Sequence, residues 1–170
     1  WWGLLLTSYI YYLAAGTKYF PFLLFSTIIT YLCGLAIEHE VNQDKKKAKR
    51  YLIIGLILNF GMLGVIKYTN FILENINLAF HLELPGMQIL LPLGISFYTF
   101  QTSGYLLDIY WKRDHAEKNI FRYALFVSYF PQILQGPIGR HSRLAEQLYE
   151  GHSFDLQRIC RGIQRILWGF

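Results

Sequence analysis

Charge in this chain is segregated, and that constrains the fold more than anything else in the sequence. Charged residues cluster at 38–50, 108–122 and 140–165, with long apolar blocks between them. A bilayer crossing needs about 20 mostly apolar residues, and blocks of that size separated by short charged segments specify a multi-span helical membrane protein. Composition agrees: 54% of residues are hydrophobic and only 16% charged, against about 25% charged in an ordinary soluble domain. The expected fold class is all-α, a polytopic membrane helical bundle. Apolar spans are predicted at about 1–15, 19–37, 51–73 and 88–109, the last kinked at Pro92, with a further span beginning near 163. The net charge of +5 reads as a set of topology signals beside spans rather than as a nucleic-acid surface. Lys45, Lys46, Lys47, Lys49 and Arg50 are the densest of these.

The positive-inside rule places loop 38–50 in the cytoplasm, linker 74–87 outside and segment 110–122 in the cytoplasm again. Segment 123–138 breaks the alternation, because basic residues flank it on both sides. Its core, YFPQILQGPIGRH at 129–141, contains two prolines that each remove a backbone donor. A short, broken, basic-flanked stretch is expected to enter the membrane and return to the same face. Such backbone is tolerated only where protein or a water-filled cavity satisfies its polar groups.

Tyr98, Gln101, Tyr105 and Asp108 recur at helical spacing, as do Ser128, Gln132 and Gln135. A polar face on a span must turn away from lipid. It either holds helices together by hydrogen bonds or lines a substrate path. Asp108 is either a path residue or a boundary carboxylate paired with Lys112 or Arg113. Arg140 either binds a phosphate or carboxylate or anchors the cytoplasmic end. Asn59 reads as packing glue, and Lys67 as a residue snorkelling to the outer interface. His39, His115 and His152 lie in charged loops, and His81 in the outside linker. His141 alone adjoins the broken segment, where a histidine base would suit acyl transfer. Cys33 and Cys160 lie in different regions, so neither a disulfide nor a metal site is expected. No phosphate loop, nucleophile elbow or metal-binding histidine pair is present.

Three stretches, LPLGISFYTFQTSGYLLDIY, AEKNIFRYALFVSYFPQILQGPIGRHSRLAEQL and GIQRILWGF, resemble the membrane-bound O-acyltransferase family, nearest to its bacterial alginate and peptidoglycan O-acetylation branch. The resemblance implies a bundle with re-entrant elements pierced by a tunnel. Tyr98, Gln101, Tyr105, Asp108, Ser128, Gln132, Gln135 and Arg140 are the candidates to line it. Pro92, Gly94, Ser96, Pro131, Gly136 and Pro137 match the family's scaffold motifs, whereas Gly104 stands where the alginate branch often has Ser. The resemblance further implies a bacterial cytoplasmic-membrane enzyme with no bound cofactor. Its acyl donor would be acetyl-CoA or a carrier-bound acyl group on the cytoplasmic side. Its acceptor would be an exported polysaccharide or an extracellular accessory acyltransferase. The family's essential histidine follows a tryptophan well downstream; no Trp-His pair occurs here. No catalytic residue is therefore expected in this chain, which reads as part of a longer protein. Re-entrant helices are also a transporter device, so a transporter or channel is the competing expectation.

Overall fold

The computed structural model describes residues 1–80, 85, 91–136, 139–151 and 155–169, without the side chains of residues 80, 134, 135 and 146. Described residues fold as helices: α1 (Trp2–Ala15), a 3-10 turn (Thr17–Tyr19), α2 (Phe20–Glu40), α3 (Lys45–Phe80), α4 (Ile95–Tyr110), α5 (Ile120–Ser128), α6 (Phe130–Gln135), α7 (His141–Tyr149) and α8 (Leu156–Gly169). No strand occurs among them. The chain is an all-α membrane bundle. Two stretches, Thr17–Glu40 and Lys45–Ala79, are long and apolar enough to cross a membrane. Leu6, Ile10, Ile57, Val65 and Phe71 all lie exposed on the bundle's outside, the distribution expected where the solvent is lipid rather than water.

Local chemistry explains where these helices start and stop. Pro21 sits in the first turn of α2, where a missing N–H costs nothing. The Asp44 carboxylate accepts the N–H groups of Lys46 and Lys47 at 2.9 and 3.1 Å. It offsets the poor fit of three lysines to a positive helix end. Asn119 Oδ1 accepts from Phe121 and Arg122 and caps α5. At the end of α4 the chain reverses through Lys112, whose φ of 57° is left-handed. The Lys112 N–H bonds to Ile109 and the Arg113 N–H to Asp108, a closure that usually takes glycine at this position.

Several bounds differ from the sequence expectation. Helix α3 runs on through Phe80, so part of linker 74–87 is helical. Asn70 and Asn77 interrupt its hydropathy, but neither breaks a helix. Residues 81–84 and 86–90 of that linker and of the 88–109 block fall outside the described residues, His81 among them. Pro92 does not kink a helix: α4 begins three residues later, and the Pro92 carbonyl accepts the Ile95 N–H. The sixteen residues of α4 reach about 24 Å at 1.5 Å each, short of the roughly 30 Å hydrocarbon core. Helix α8 begins at Leu156, ahead of the start near 163.

Helices α2, α3 and α4 form the centre, joined by a buried polar cluster. Ser26 donates to Asn59 Oδ1 at 2.5 Å, and Asn59 Nδ2 donates to Thr30 at 3.0 Å and to the Gly55 carbonyl at 2.9 Å. Thr102 of α4 reaches Asn59 Oδ1 at 3.5 Å. Gly55 lets α4 come close: a Cβ there would stand 2.6 Å from Leu106 Cδ1. Asn59 thus has the packing role expected of it.

The charged segments meet at one end of this bundle. Glu38 accepts the Ala116 N–H at 3.1 Å and contacts His115 at the same distance. Tyr31 donates to the Lys118 carbonyl. His141 meets Asp114, and Tyr149 donates to the Arg122 carbonyl at 2.8 Å. Arg122 in α5 and His141 at the start of α7 therefore both lie at this end. Between them run two short helices rather than one, α5 and α6, broken at Tyr129 (ψ 103°), with Pro131 in the first turn of α6.

Candidate functional site: a polar cleft at the charged end of α4

Gln101, Gly104, Tyr105, Leu107, Asp108, Trp111 and Arg113 line one wall of a cleft of about 240 Å³, and Gly139, Arg140 and His141 line the other. Four tunnel candidates thus share a single cavity: Gln101, Tyr105, Asp108 and Arg140. Helical spacing supplies the first three. The reversal at Lys112 folds Arg113 back beside them, and its guanidinium lies 4.8 Å from the Trp111 ring centroid. Gly104 contributes volume, since a Cβ there would meet nothing within 4 Å.

The remaining candidates lie elsewhere. Tyr98 is fully buried in the core with Tyr12. Ser128 is buried, its hydroxyl spent on the Ala124 carbonyl one turn back. The break at Tyr129 prevents Ser128 and Gln132 from sharing one helical face. Gln132 instead lies under the turn after α6: a Cβ at Gly136 would stand 2.5 Å from its Cγ, and one at Gly139 2.7 Å from its Nε2. Gly94 (φ 69°) abuts Ile133 of α6. The Gln135 side chain and all of Pro137 fall outside the described residues. Among the described residues Asp108 makes no ion pair with Lys112, Arg113 or any other cation.

His141, singled out in the sequence as the histidine beside the broken segment, also lines the cleft. The ring is 6% exposed and packs edge-on against Tyr105 and Phe126, both at 4.9 Å between centroids. Its Nδ1 is 3.0 Å from Asp114 Oδ2, so a carboxylate fixes the ring's orientation. Burial alone would push the Asp114 carboxyl up. The hydrogen bond and charge of His141, with the His115 N–H, outweigh burial and hold it below its ordinary 3.8. Two polar atoms on the cleft wall have no partner among the described residues, Gln101 Oε1 and His141 Nε2. Gln101 Nε2 is already committed to the Phe126 carbonyl at 3.2 Å. An unmet buried polar group costs about 1–3 kcal/mol. Nothing in the sequence joined Asp114 to His141, which are separated by 27 positions and lie on different elements. Arg113 was legible only as a basic residue beside Asp108, and Trp111 carried no signal.

The chain is 32% identical to the probable alginate O-acetylase AlgI of Pseudomonas syringae over 98% of its own length. It is 35% identical to the peptidoglycan O-acetyltransferase of Helicobacter pylori over 85%. Against the probable alginate O-acetylase AlgI of Pseudomonas aeruginosa it is 35% identical over 98%. The chain belongs to the membrane-bound O-acyltransferase family. It spans about a third of the length of these curated relatives, from 32% to 33%. No family model and no solved structure matches it. Within this family the cleft lies in the block 91–148 that carries the sequence resemblance.

Proposed function

We propose that the whole protein is an O-acyltransferase of the bacterial cytoplasmic membrane, with several spans, that moves an acetyl group onto hydroxyls of an exported cell-envelope polysaccharide. The observation that carries this is the 32–35% identity, over most of the chain, to relatives named for that chemistry. Convergence of segments 38–50, 111–119 and 139–150 at one end supports a single cytoplasmic face, because they carry five, three and two lysines or arginines respectively. The donor, acetyl-CoA or a carrier-bound acyl group, approaches from that face. The acceptor is the polymer itself or an accessory acyltransferase outside.

Transfer requires a base to take the acceptor hydroxyl's proton. The resulting oxygen attacks the acyl carbonyl, and the tetrahedral oxyanion needs preorganised donors until the leaving group departs. We place the base in the part of the protein beyond this third. Gln101, whose Nε2 has a second hydrogen beyond the one given to the Phe126 carbonyl, or Gln132 is the amide donor this chain offers to the oxyanion. Gln101→Ala and Gln132→Ala are each made in the full-length protein, and loss of the oxyanion's donor should lower polymer acetylation by about a hundredfold. The readout is acetyl content of the polymer by NMR, normalised to protein level. Unchanged acetylation at normal protein level removes that glutamine from the reaction.

A further inference from the structure

The two clefts that meet at His141 carry opposite charge. Among the described residues, Asp114, Glu117 and Glu150 lie on one side with Arg122 as the lone cation. On the other, among the same residues, Arg113 and Arg140 face the single carboxylate Asp108. No ion pair among the described residues neutralises either of these two arginines. Arg113 is steadied on the Trp111 ring, which keeps its guanidinium at the rim. Behind the arginines sit two groups that are more than nine-tenths buried, Gln101 at 2% and His141 at 6% exposure. Each has a polar atom without a partner among the described residues. Surplus positive charge, a planar guanidinium on each wall and unmet hydrogen-bonding atoms behind them define a receptor for a small oxyanion with a neighbouring polar group.

We propose that the cleft between α4 and residues 139–141 binds a phosphate group through Arg113 and Arg140. His141 Nε2 and Gln101 Oε1 hydrogen-bond the phosphate's own hydroxyl or the polar atoms next to it. The cleft has a volume of about 240 Å³, well above what a single water needs. That admits a phosphate with a few attached atoms. Two sources share this chemistry: a soluble phosphate ester and the headgroup of a bilayer phospholipid. The inference goes beyond acyl transfer and does not depend on which hydroxyl is acetylated.

The test uses the full-length protein, delipidated in a phosphate-free maltoside detergent. Inorganic phosphate is titrated in one arm and short-chain phosphatidylglycerol in the other, both followed by calorimetry. The wild type should bind one probe per chain in at least one arm. Binding in the first arm alone identifies a soluble phosphate; binding in the second alone identifies a headgroup. Arg140→Met should weaken binding by about tenfold or more. Arg158→Gln, on the exposed side of α8, should leave it unchanged. Gly104→Leu fills the cleft without altering charge and should abolish binding at an unchanged unfolding temperature. Absence of binding in both arms overturns the proposal. So does retained binding in Gly104→Leu, or equal weakening by Arg158→Gln. Polymer acetylation is measured separately, so failure of the acyl-transfer reading is distinguishable.

Discussion

At the scale of single residues, the Asp114–His141 contact sets the cleft's second wall. The Asp114 carboxyl titrates below its ordinary 3.8 in the fold. A depressed carboxylate stabilises the folded state in full above the unfolded value, and that contribution is lost as pH falls through the folded value. Asp114→Asn should therefore cost about 2 kcal/mol at neutral pH, the range for a hydrogen bond to a charged group. The gap between wild type and variant should close below about pH 4. Thermal unfolding in detergent across pH 3–7 reads both; a gap independent of pH would show that the carboxylate's charge contributes nothing. The sequence identified His141 as the histidine beside the broken segment. Its partner was hidden because hydropathy and helical spacing report neighbours within a few turns, not contacts across a bundle. Gln101, Tyr105 and Asp108 were legible for the complementary reason: they share one helix and its period.

At the scale of elements, short helices are joined where the backbone must do something unusual. Gly94 begins α4 in a left-handed conformation against α6. Gly94→Ala must bear that conformation, at about 1 kcal/mol, and place a Cβ 2.7 Å from Ile133 Cγ2 and 3.0 Å from its carbonyl. A destabilisation of about 2–4 kcal/mol follows, measurable as a lower unfolding temperature. Ile133→Val should recover little of it, because valine keeps the Cγ2 methyl and the carbonyl remains. Element starts and stops were only partly legible. Pro131 marked a break, yet a proline that opens a new helix and one that bends an old one look alike in sequence. Pro92 was misplaced for the same reason. It precedes α4 by a turn instead of kinking it.

At the scale of the whole molecule, the arrangement around the membrane follows from which segments meet. Loops 38–50 and 111–119 touch through Glu38, and α5 and α7 touch through Tyr149 and Arg122. One face therefore carries all of them. With exposed Cys160 replaced by Ser, a cysteine at Asn77 should react with an impermeant thiol reagent added outside. Cysteines at Asp114 and Ser142 should react only after the membrane is opened. Outside labelling at Ser142 would rule out the return of segment 123–138. The bundle and its basic end were legible because lipid imposes a strict separation of apolar and charged residues on the chain. The cleft was not, since it exists only where the end of α4 meets a turn from thirty residues later.

The polar cluster at the bundle's centre also governs how this sequence can change in length. Asn59 meets Ser26 and Thr30, two residues one helical turn apart. One residue inserted into α2 ahead of Ser26 leaves both on the same rung, but one inserted between them swings the second about 100° off the first. Deletions there have the same effect. Between Ser26 and Asn59, insertions and deletions thus belong in the turn between Val41 and Asp44, while the stretch from Ser26 to Thr30 keeps a fixed residue count.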